Sequence, residues 1–342
     1  MIKYRHLAWV LPLFFVQCTK KLNSLPEYKT TEGIALDSAY FQPTCIEYDQ
    51  NYTYILDNSY NYRLFYRVDE NTGKLENLPH YNTLYDFTTD SLNLYIVRAN
   101  TYPKPLYTLY RVPKNNLNDS TVINQNYNFV GLSFHEGSLY AWNLATGLCR
   151  INPVTGEYSV VLSRNDFYIS QVSFLKYKNA SKFENGKWMF INQDGGYFTS
   201  VSLAGGTLPD TLNNVKTRLF AVVNDRIYFT QKNTHSDVDT NPLLYKSCLA
   251  SMPLAGGQIT IEDSINMKQC NTVSNYGNLL LIGDGRFVKT FDPISKKVEL
   301  LGAMTATSGK GKVLDAYPFS NKYTGSVYYA AYYEITKLYK LK

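Results

Sequence analysis

The sequence predicts an all-β protein of the β-propeller class, built from repeated four-stranded units. Strand–turn–strand segments recur along the chain, and Leu148–Leu162 is the clearest, with its turn at Pro153–Gly156. The turn centres fall near residues 72, 116, 156, 206, 257 and 296, and a spacing of about 40–50 residues is typical of a propeller blade. β-Branched or aromatic residues alternate with polar ones inside the units. After the first 17 residues, no long stretch shows the 3.6-residue hydrophobic period of a helix.

Six complete units and one partial unit follow from this spacing. The six units span residues 45–78, 83–123, 128–162, 169–211, 218–262 and 271–301. In the fourth unit we expect the inner strand at Ile169–Tyr177, and we treat Lys178–Lys187 as a connecting loop. Val313–Tyr317, Val327–Tyr333 and Ile335–Leu341 then supply only three strands for the last unit. Glu32–Leu36 is a spare strand that would complete it and close the ring, because closure removes an exposed edge. The count is seven blades, with six as the alternative.

The first residues read as an export signal. Lys3 and Arg5 precede a ten-residue apolar run, Leu7–Val16, which is too short to span a bilayer as a helix and is typical of a signal peptide. Cys18 follows at once, and this arrangement resembles the lipobox of bacterial lipoproteins, in which the thiol carries the lipid. An ordinary secretory signal or a buried apolar segment are the alternatives.

The domain prediction follows from the leader. Residues 1–17 are the signal peptide, residues 18–29 the lipidated cysteine and a polar tether, and residues 30–342 a single propeller. The resemblance implies an outer-membrane lipoprotein whose domain faces the periplasm, since no acidic run and no Asp follow Cys18 directly. The membrane, reached through the lipid, is therefore the first expected partner.

Charge and cysteine content exclude other classes. The formal net charge is +6, and removal of Lys3 and Arg5 leaves a mild +4 without a basic patch, so a nucleic-acid partner has no support. Four cysteines remain beyond Cys18: Cys45, Cys149, Cys248 and Cys270. Their spacing is irregular, which argues against zinc. We expect buried free thiols, and a Cys248–Cys270 disulfide is the alternative.

Several short sequence segments resemble those of known propeller families. Leu64–Val68, Leu106–Val112 and Leu148–Ile151 resemble the Leu-Tyr-Arg-hydrophobic strand of YWTD-type and related bacterial propellers. Asn152–Gly156 and Asp292-Pro293 are similar to the hairpin of quinoprotein-like propellers. The resemblance implies a binding platform more often than an enzyme. A quinone cofactor is not implied, because only Trp142 and Trp188 follow the leader, and we expect no cofactor.

Candidate catalytic and metal-binding residues are sparse. His80, His135 and His235 are the histidines beyond the leader, and catalytic or metal sites usually need more of them or a set spacing. His135-Glu136-Gly137 reads as a surface turn. The loop Thr234–Asp239 has His and Asp at alternating positions, but a solvated loop explains it equally, so no metal site is predicted. The inner strands offer Glu47 and Asp86 and, on this reading, no His.

The leading functional hypothesis is a lipid-anchored, non-enzymatic module that binds an unidentified protein, peptide or glycan. Long connections would gather on one face of the propeller, and binding residues concentrate on such loops; the candidates are Tyr102, Phe167, Tyr168 and His235. The alternative is that these loops are long only because nothing constrains them. The alternatives are a lyase or hydrolase acting in the central channel and a structural subunit of an envelope complex. Three or more clustered carboxylates or His at the inner-strand ends would favour the enzyme.

Overall fold

The prediction of an all-β propeller is confirmed by a computed structural model of the chain. The structure describes the following residues: 34–35, 43–57, 64–78, 84–99, 107–125, 128–143, 145–165, 181–192, 197–205, 210–214, 217, 219–232, 247–262, 267, 269–303, 315–332 and 339–341. They form 28 strands in seven antiparallel sheets of four. All seven sheets lie within the compact unit Glu32–Lys342. Within the described ranges we find no helical segment with the length and hydropathy that a bilayer crossing requires.

The first three blades follow the order of the chain, from the inner strand to the outer strand. The strands of blade 1 are β2 (Pro43–Tyr48), β3 (Tyr52–Asp57), β4 (Leu64–Asp69) and β5 (Leu75–Asn77). Those of blade 2 are β6 (Leu84–Thr89), β7 (Asn93–Ala99), β8 (Tyr107–Pro113) and β9 (Thr121–Asn124). Those of blade 3 are β10 (Phe129–His135), β11 (Ser138–Asn143), β12 (Gly147–Ile151) and β13 (Tyr158–Ser163).

The next three blades repeat this order. The strands of blade 4 are β14 (Ser181–Glu184), β15 (Lys187–Asn192), β16 (Tyr197–Ser202) and β17 (Asp210–Asn214). Those of blade 5 are β18 (Phe220–Val223), β19 (Arg226–Lys232), β20 (Ser247–Pro253) and β21 (Thr260–Ile261). Those of blade 6 are β22 (Cys270–Tyr276), β23 (Leu279–Asp284), β24 (Phe287–Phe291) and β25 (Val298–Ala303).

Blade 7 joins the two ends of the chain. Its strands, from the inside outwards, are β26 (Asp315–Ser320), β27 (Val327–Tyr332), β28 (Tyr339–Lys340) and β1 (Ile34–Ala35). Ile34 pairs with Lys340 and Ala35 with Tyr339 in an antiparallel register. The predicted closure by an N-terminal strand is therefore present, and the outer edge of β28 is covered.

Side-chain contacts link each blade to the next around the ring. The linking pairs, in order from blades 1–2 to blades 7–1, are Thr88–Glu47, Leu132–Asp86, His135–Phe183, Phe198–Phe220, Asn275–Val222, Thr272–Ala316 and Asn321–Glu70. Apolar side chains of adjacent sheets fill the space between them, as Val97 and Leu109 of blade 2 do with Leu132 and Leu139 of blade 3. Each such buried side chain contributes about 1.5–3 kcal/mol, so the sheets depend on their neighbours.

Polar side chains satisfy the inner strands along the channel. One edge of an inner strand has no neighbouring strand, and its buried N–H and C=O groups need other partners. The N–H of Leu132 donates to Asp86 Oδ2 at 2.8 Å, and the N–H of Phe134 donates to Thr88 Oγ1 at 3.1 Å. Between blades 6 and 7 a side chain satisfies a backbone carbonyl instead, since the Ser274 hydroxyl donates to the Pro318 carbonyl at 3.1 Å.

One five-residue turn recurs on a single face of the propeller. Its four copies begin at Asp69, Asn152, Asp292 and Asn321. In the copy at Asn152, the side-chain oxygen accepts the N–H groups of Val154 and Thr155 at 2.8 and 3.2 Å, and the N–H of Gly156 donates back to the Asn152 carbonyl at 2.9 Å. The fifth position needs a positive φ; glycine supplies it in three copies, and Lys296 adopts a φ of 60° in the fourth.

One strand assignment was wrong. The described inner strand of blade 4 is β14, inside the stretch treated as a loop, whereas Ile169–Tyr177 lies outside the described residues. A tight turn at Asn185-Gly186, with φ values of 50° and 69°, joins β14 to β15. The expectation of buried free thiols is confirmed for Cys45, Cys149, Cys248 and Cys270, and the alternative of a Cys248–Cys270 disulfide is excluded.

Deletion of residues 30–40 should destabilise the propeller strongly. The deletion removes β1 and leaves β28 as an exposed edge, and an unpaired edge promotes association between molecules. We expect a large fall in the melting temperature, and concentration-dependent aggregation in light scattering. Deletion of residues 19–29 is the matched control, because it shortens the chain by the same number of residues before β1. A deletion of 30–40 that melts like this control would contradict the role of β1.

Candidate functional site

A central cavity of about 1670 Å³ opens where the inner strands end. It lies on the face that carries the turns between first and second strands and between third and fourth strands, which we call the hairpin face. Its polar and aromatic lining comes from blades 1–4, 6 and 7, and includes Glu47, Asp49, Asp90, Lys114, Ser133, His135, Glu136, Ser181, Lys182, Phe183, Glu184, Ser274, Asn275, Ser320, Lys322 and Tyr323. Blade 5 contributes none of the described lining residues.

The inner strand of blade 5 is as short as β14 of blade 4, but none of its residues lines the cavity, so the described lining has a gap at blade 5. β18 has four residues, and Asn224 and Asp225 turn the chain back with φ values of 50° and 56°, the conformation of a tight two-residue hairpin. The neighbouring blades meet across this gap. The Asn275 amide of β22 donates to the Val222 carbonyl at 2.6 Å, and the ammonium of Lys182, on β14, donates to Asn275 Oδ1.

Lys182 has an unusual electrostatic environment for a lysine. Its removal from water lowers the pKa to about 8, and the positive charge of Lys322 acts in the same direction, while the Glu184 carboxylate acts against them. Among the described residues, no carboxylate lies within 4.0 Å of its ammonium. Burial disfavours the charged form of such a group. Within the described ranges, Lys182 is therefore a partly buried cation without an ion-pair partner.

Most acidic groups near the cavity hold the structure together. Lys114 bridges Asp49 Oδ2 at 2.7 Å and the Asp90 carbonyl at 2.5 Å, which ties blade 1 to blade 2. Asp90 accepts the N–H groups of its own turn and the Tyr95 hydroxyl at 2.7 Å. Glu47 accepts the Thr88 hydroxyl at 3.1 Å. These carboxylates already have donors, so their role is to position the turns that form the rim.

His135 lies at the end of an inner strand, which corrects the expectation that these strands carry no His. It is the last residue of β10, and its ring stacks on Phe183 of blade 4 at 4.5 Å and 5°. Its Nε2 lies 3.6 Å from Glu136 Oε1. Glu47, His135 and Glu184 therefore stand at inner-strand ends, but on three different blades. Within the described part of the chain, no three His, Cys, Asp or Glu side chains converge as a metal site would require.

The aromatic rings that line the cavity are largely occupied by partners within the protein. Phe134 stacks on Tyr95 at 5.8 Å, and Phe183 stacks on Trp188 as well as on His135. Tyr323 is the exception, because it is 53% exposed at the rim. Its ring meets Tyr48 edge-to-face at 6.4 Å. Burial raises the pKa of the Tyr48 hydroxyl, which therefore stays neutral and acts as a hydrogen-bonding group.

A buried carboxylate positions the blade 7 part of the rim. Glu70, at the start of the turn after β4, accepts hydrogen bonds from Thr53 at 2.5 Å, Asn321 at 2.9 Å, Thr324 at 3.0 Å and Tyr328 at 2.8 Å. Lys340 lies 3.5 Å away as its ion-pair partner. These contacts fix the turn that begins at Asn321 against blade 1, and this turn carries Lys322 and Tyr323.

The electrostatics of Glu70 follow from these bonds. Burial alone would raise the pKa of this carboxyl group, but the hydrogen bonds from Thr53, Ser326, Asn321 and Tyr328 outweigh it and lower the pKa. Sequence reasoning missed Glu70, because its partners in blade 7 lie more than 250 positions further along the chain.

The predicted binding and lipidation residues cannot be compared with this cavity. Cys18, Tyr102, Phe167, Tyr168 and His235 all lie outside the described residues, so those assignments stay predictions. A local signal for Lys182 does exist in the register. Lys182 pairs with Met189 at the position where Thr88 pairs with Tyr95 and Ser133 with Tyr140. A lysine thus stands where blades 2 and 3 have a small hydroxyl residue.

Comparison with known proteins identifies the fold but no family. No family model matches the chain, and none of the curated proteins does. A structure of YCF48 bound to D1 peptide aligns with a TM-score of 0.58 over 93% of this chain and 97% of that chain, at 9% identity. A streptogramin B lyase structure aligns with a TM-score of 0.54 over 91% and 97%, at 11% identity. Both are β-propellers, and at these identities the likeness concerns the fold alone.

Replacement of Glu70 by Gln should destabilise the protein by about 1–3 kcal/mol at neutral pH, because hydrogen bonds to a buried charge are lost or reversed. Glu70 has a lowered pKa in the folded state, so its carboxylate stabilises the fold above its unfolded pKa of about 4.3. That contribution is lost as the pH falls through the folded pKa. The measurement is the urea midpoint of the wild type and of Glu70→Gln between neutral and acid pH.

Glu76→Gln is the matched control for this experiment. Glu76 pairs with Arg67 at 2.8 Å, but its side chain is 47% exposed, and exposed pairs contribute about 1 kcal/mol or less. We expect Glu70→Gln to differ from the wild type more at pH 7 than in acid, and Glu76→Gln to differ little throughout. A Glu70→Gln protein that matches the wild type at pH 7 would show that the carboxylate does not secure the seam, that is, the contact between blades 7 and 1 where the ring closes.

Proposed function

We propose that this protein is a lipid-anchored component of the cell envelope whose propeller binds an extended peptide segment in the central cavity, without catalysing a reaction. The observation that carries the proposal is the cavity itself. Its volume of about 1670 Å³ exceeds the roughly 300–1,000 Å³ that is usual for small-molecule sites. Six blades supply its polar lining. A ligand that spans several blades can use these groups, whereas a small metabolite would reach only a few.

The lining favours a peptide over a glycan. Sugar rings bind against open aromatic faces, and most cavity rings already stack on protein partners such as Tyr95 and Trp188. Hydroxyl, amide and charged side chains instead supply donors and acceptors that suit a peptide backbone. The fold is compatible with this role, since YCF48, a propeller of similar fold, has been solved with a peptide bound.

The anchor and location rest on the start of the chain. The positive residues, the ten-residue apolar run and Cys18 together resemble a bacterial lipoprotein leader. A polar tether of residues 19–29 would then hold the propeller near the membrane. We propose an outer-membrane anchor with the propeller in the periplasm, where a binding module has access to extended segments of other envelope proteins.

Peptide binding at the hairpin face can be tested with immobilised pools of random nine-residue peptides and with an oligosaccharide array. Ser181→Trp should fill part of the cavity and reduce peptide capture at least tenfold. Ser159→Trp is the matched control, because Ser159 lies exposed on the outer strand β13, and it should bind like the wild type. If Ser181→Trp alters the melting curve, Ser91→Trp at the cavity rim replaces it.

Binding on the opposite face is tested by replacing the loops 163–168 and 231–242 with short Gly-Ser turns. These loops carry the predicted binding residues Phe167, Tyr168 and His235. Loss of binding in the loop variants but not in Ser181→Trp would place the partner on the opposite face, as the sequence interpretation expects. Retention of oligosaccharides but not of peptides would identify a glycan-binding protein.

Cys18 should carry the lipid. Intact-mass analysis of the membrane fraction is expected to show a chain that begins at Cys18 with added acyl mass. Cys18→Ala should release the protein from the membrane, and the neighbouring control Thr19→Ala should stay attached. A wild-type protein that is soluble and unmodified would overturn the anchor and leave the peptide-binding proposal in place.

A further inference from the structure

Lys182 contacts a blade that is not its neighbour in the ring. It lies on β14 of blade 4, and its ammonium crosses the gap at blade 5 to reach Asn275 of blade 6. At the same register position, Thr88 and Ser274 bond to the next inner strand. Blade 5, which follows Lys182, has Ala221 at this position. The long side chain of Lys182 therefore extends along the cavity wall.

Asn275 fixes the direction of this side chain. Its amide nitrogen donates to the Val222 carbonyl at 2.6 Å, which leaves Oδ1 facing Lys182. Its own backbone carbonyl accepts the Ser320 hydroxyl at 2.6 Å. A lysine ammonium has three donors, and Asn275 accepts one of them. No other acceptor for this ammonium is found in the described part of the chain, so a ligand in the cavity can take the other two.

Two other cations of the cavity, Lys114 and Arg67, are already paired. Lys114 contacts Asp49 at 2.7 Å, and Arg67 contacts Glu76 at 2.8 Å. Lys182 has no such partner among the described residues, and the second cation Lys322 lines the same cavity. A partly buried ammonium without an anion is unfavourable. A carboxylate that enters the cavity would relieve this cost through charge-assisted hydrogen bonds.

From this arrangement we infer that Lys182 binds a carboxylate group of the peptide segment, with Lys322 as a second cation and Asn275 as a positioning residue. The inference rests on the proposed function for the nature of the ligand. The carboxylate has two chemical sources, a free C-terminus or an Asp or Glu side chain. Binding should raise the lowered pKa of Lys182 towards that of an ordinary lysine.

The first test compares four pools of random nine-residue peptides, with free or amidated C-termini and with or without Asp and Glu, on the full-length protein in detergent. Lys182→Gln should weaken capture roughly tenfold or more, since a hydrogen bond to a charged group is worth about 1.5–3 kcal/mol. Lys182→Arg, which keeps the charge, should retain part of the binding. Lys297→Gln is the control, because Lys297 is 68% exposed and pairs with Glu299 on the blade 6 hairpin.

The pools also identify the source of the carboxylate. If amidation abolishes capture, the C-terminus is the ligand group; if omission of Asp and Glu does, it is a side chain. Capture that is insensitive to both changes and to Lys182→Gln would overturn the carboxylate subsite and leave the peptide-binding function intact.

The second test does not depend on any peptide. In protein that carries ¹³C,¹⁵N-labelled lysine, the lysine Cε signals are observed by NMR, and the Lys182 signal is the one that is absent in Lys182→Arg. We expect it to titrate near pH 8 and to shift to higher pH with sodium acetate but not with sodium chloride at equal ionic strength. A Lys182 signal that acetate does not move would overturn the subsite. If acetate moves it while no peptide pool binds, the subsite stands and the peptide proposal fails.

Discussion

Closure of the ring is the constraint on which the other features of this protein depend. Each sheet is covered only by its two neighbours, so an open seam would expose a sheet face and a strand edge at once. The pairing of β1 with β28 and the hydrogen bonds of Glu70 secure this seam. Both join segments from opposite ends of the chain. The entropy cost of bringing them together precedes the gain from their contacts, so we expect the contact between blades 7 and 1 to form late in folding.

The same closure determines what the cavity can offer. Inner strands held at a fixed distance from the axis leave one edge without strand partners, and side chains such as Asp86 and Thr88 satisfy that edge. Polar groups are therefore expected in the channel of any such ring, and their presence alone says nothing about a ligand. What distinguishes Lys182 is that the described residues around it satisfy only part of its hydrogen-bonding capacity and include no carboxylate within ion-pair distance.

The repeat could be predicted from the sequence because its signals are local. Turns such as Asn152–Gly156 and Asn185-Gly186 depend on the residues within them. The inner strand of blade 4 could not be predicted in this way. Ser181–Glu184 is short, polar and half-buried beside the cavity, and it lacks the alternation of apolar and polar residues that marks a strand. The roles of His135 and Glu70 were missed for a different reason. Both depend on contacts between blades, which a single chain segment does not reveal.

Departures from the repeat carry the functional information. A residue that matches its counterparts in the other blades is explained by the fold, as Thr88, Ser133 and Ser274 are. Lys182 occupies the corresponding position with a different chemistry, beside blade 5, which contributes none of the described lining residues. The lysine and the gap at blade 5 thus lie next to each other in the ring. Because stability would be served by another hydroxyl residue bonded to its neighbour, the lysine and the gap together favour recognition of a ligand as the reason for this local break in symmetry.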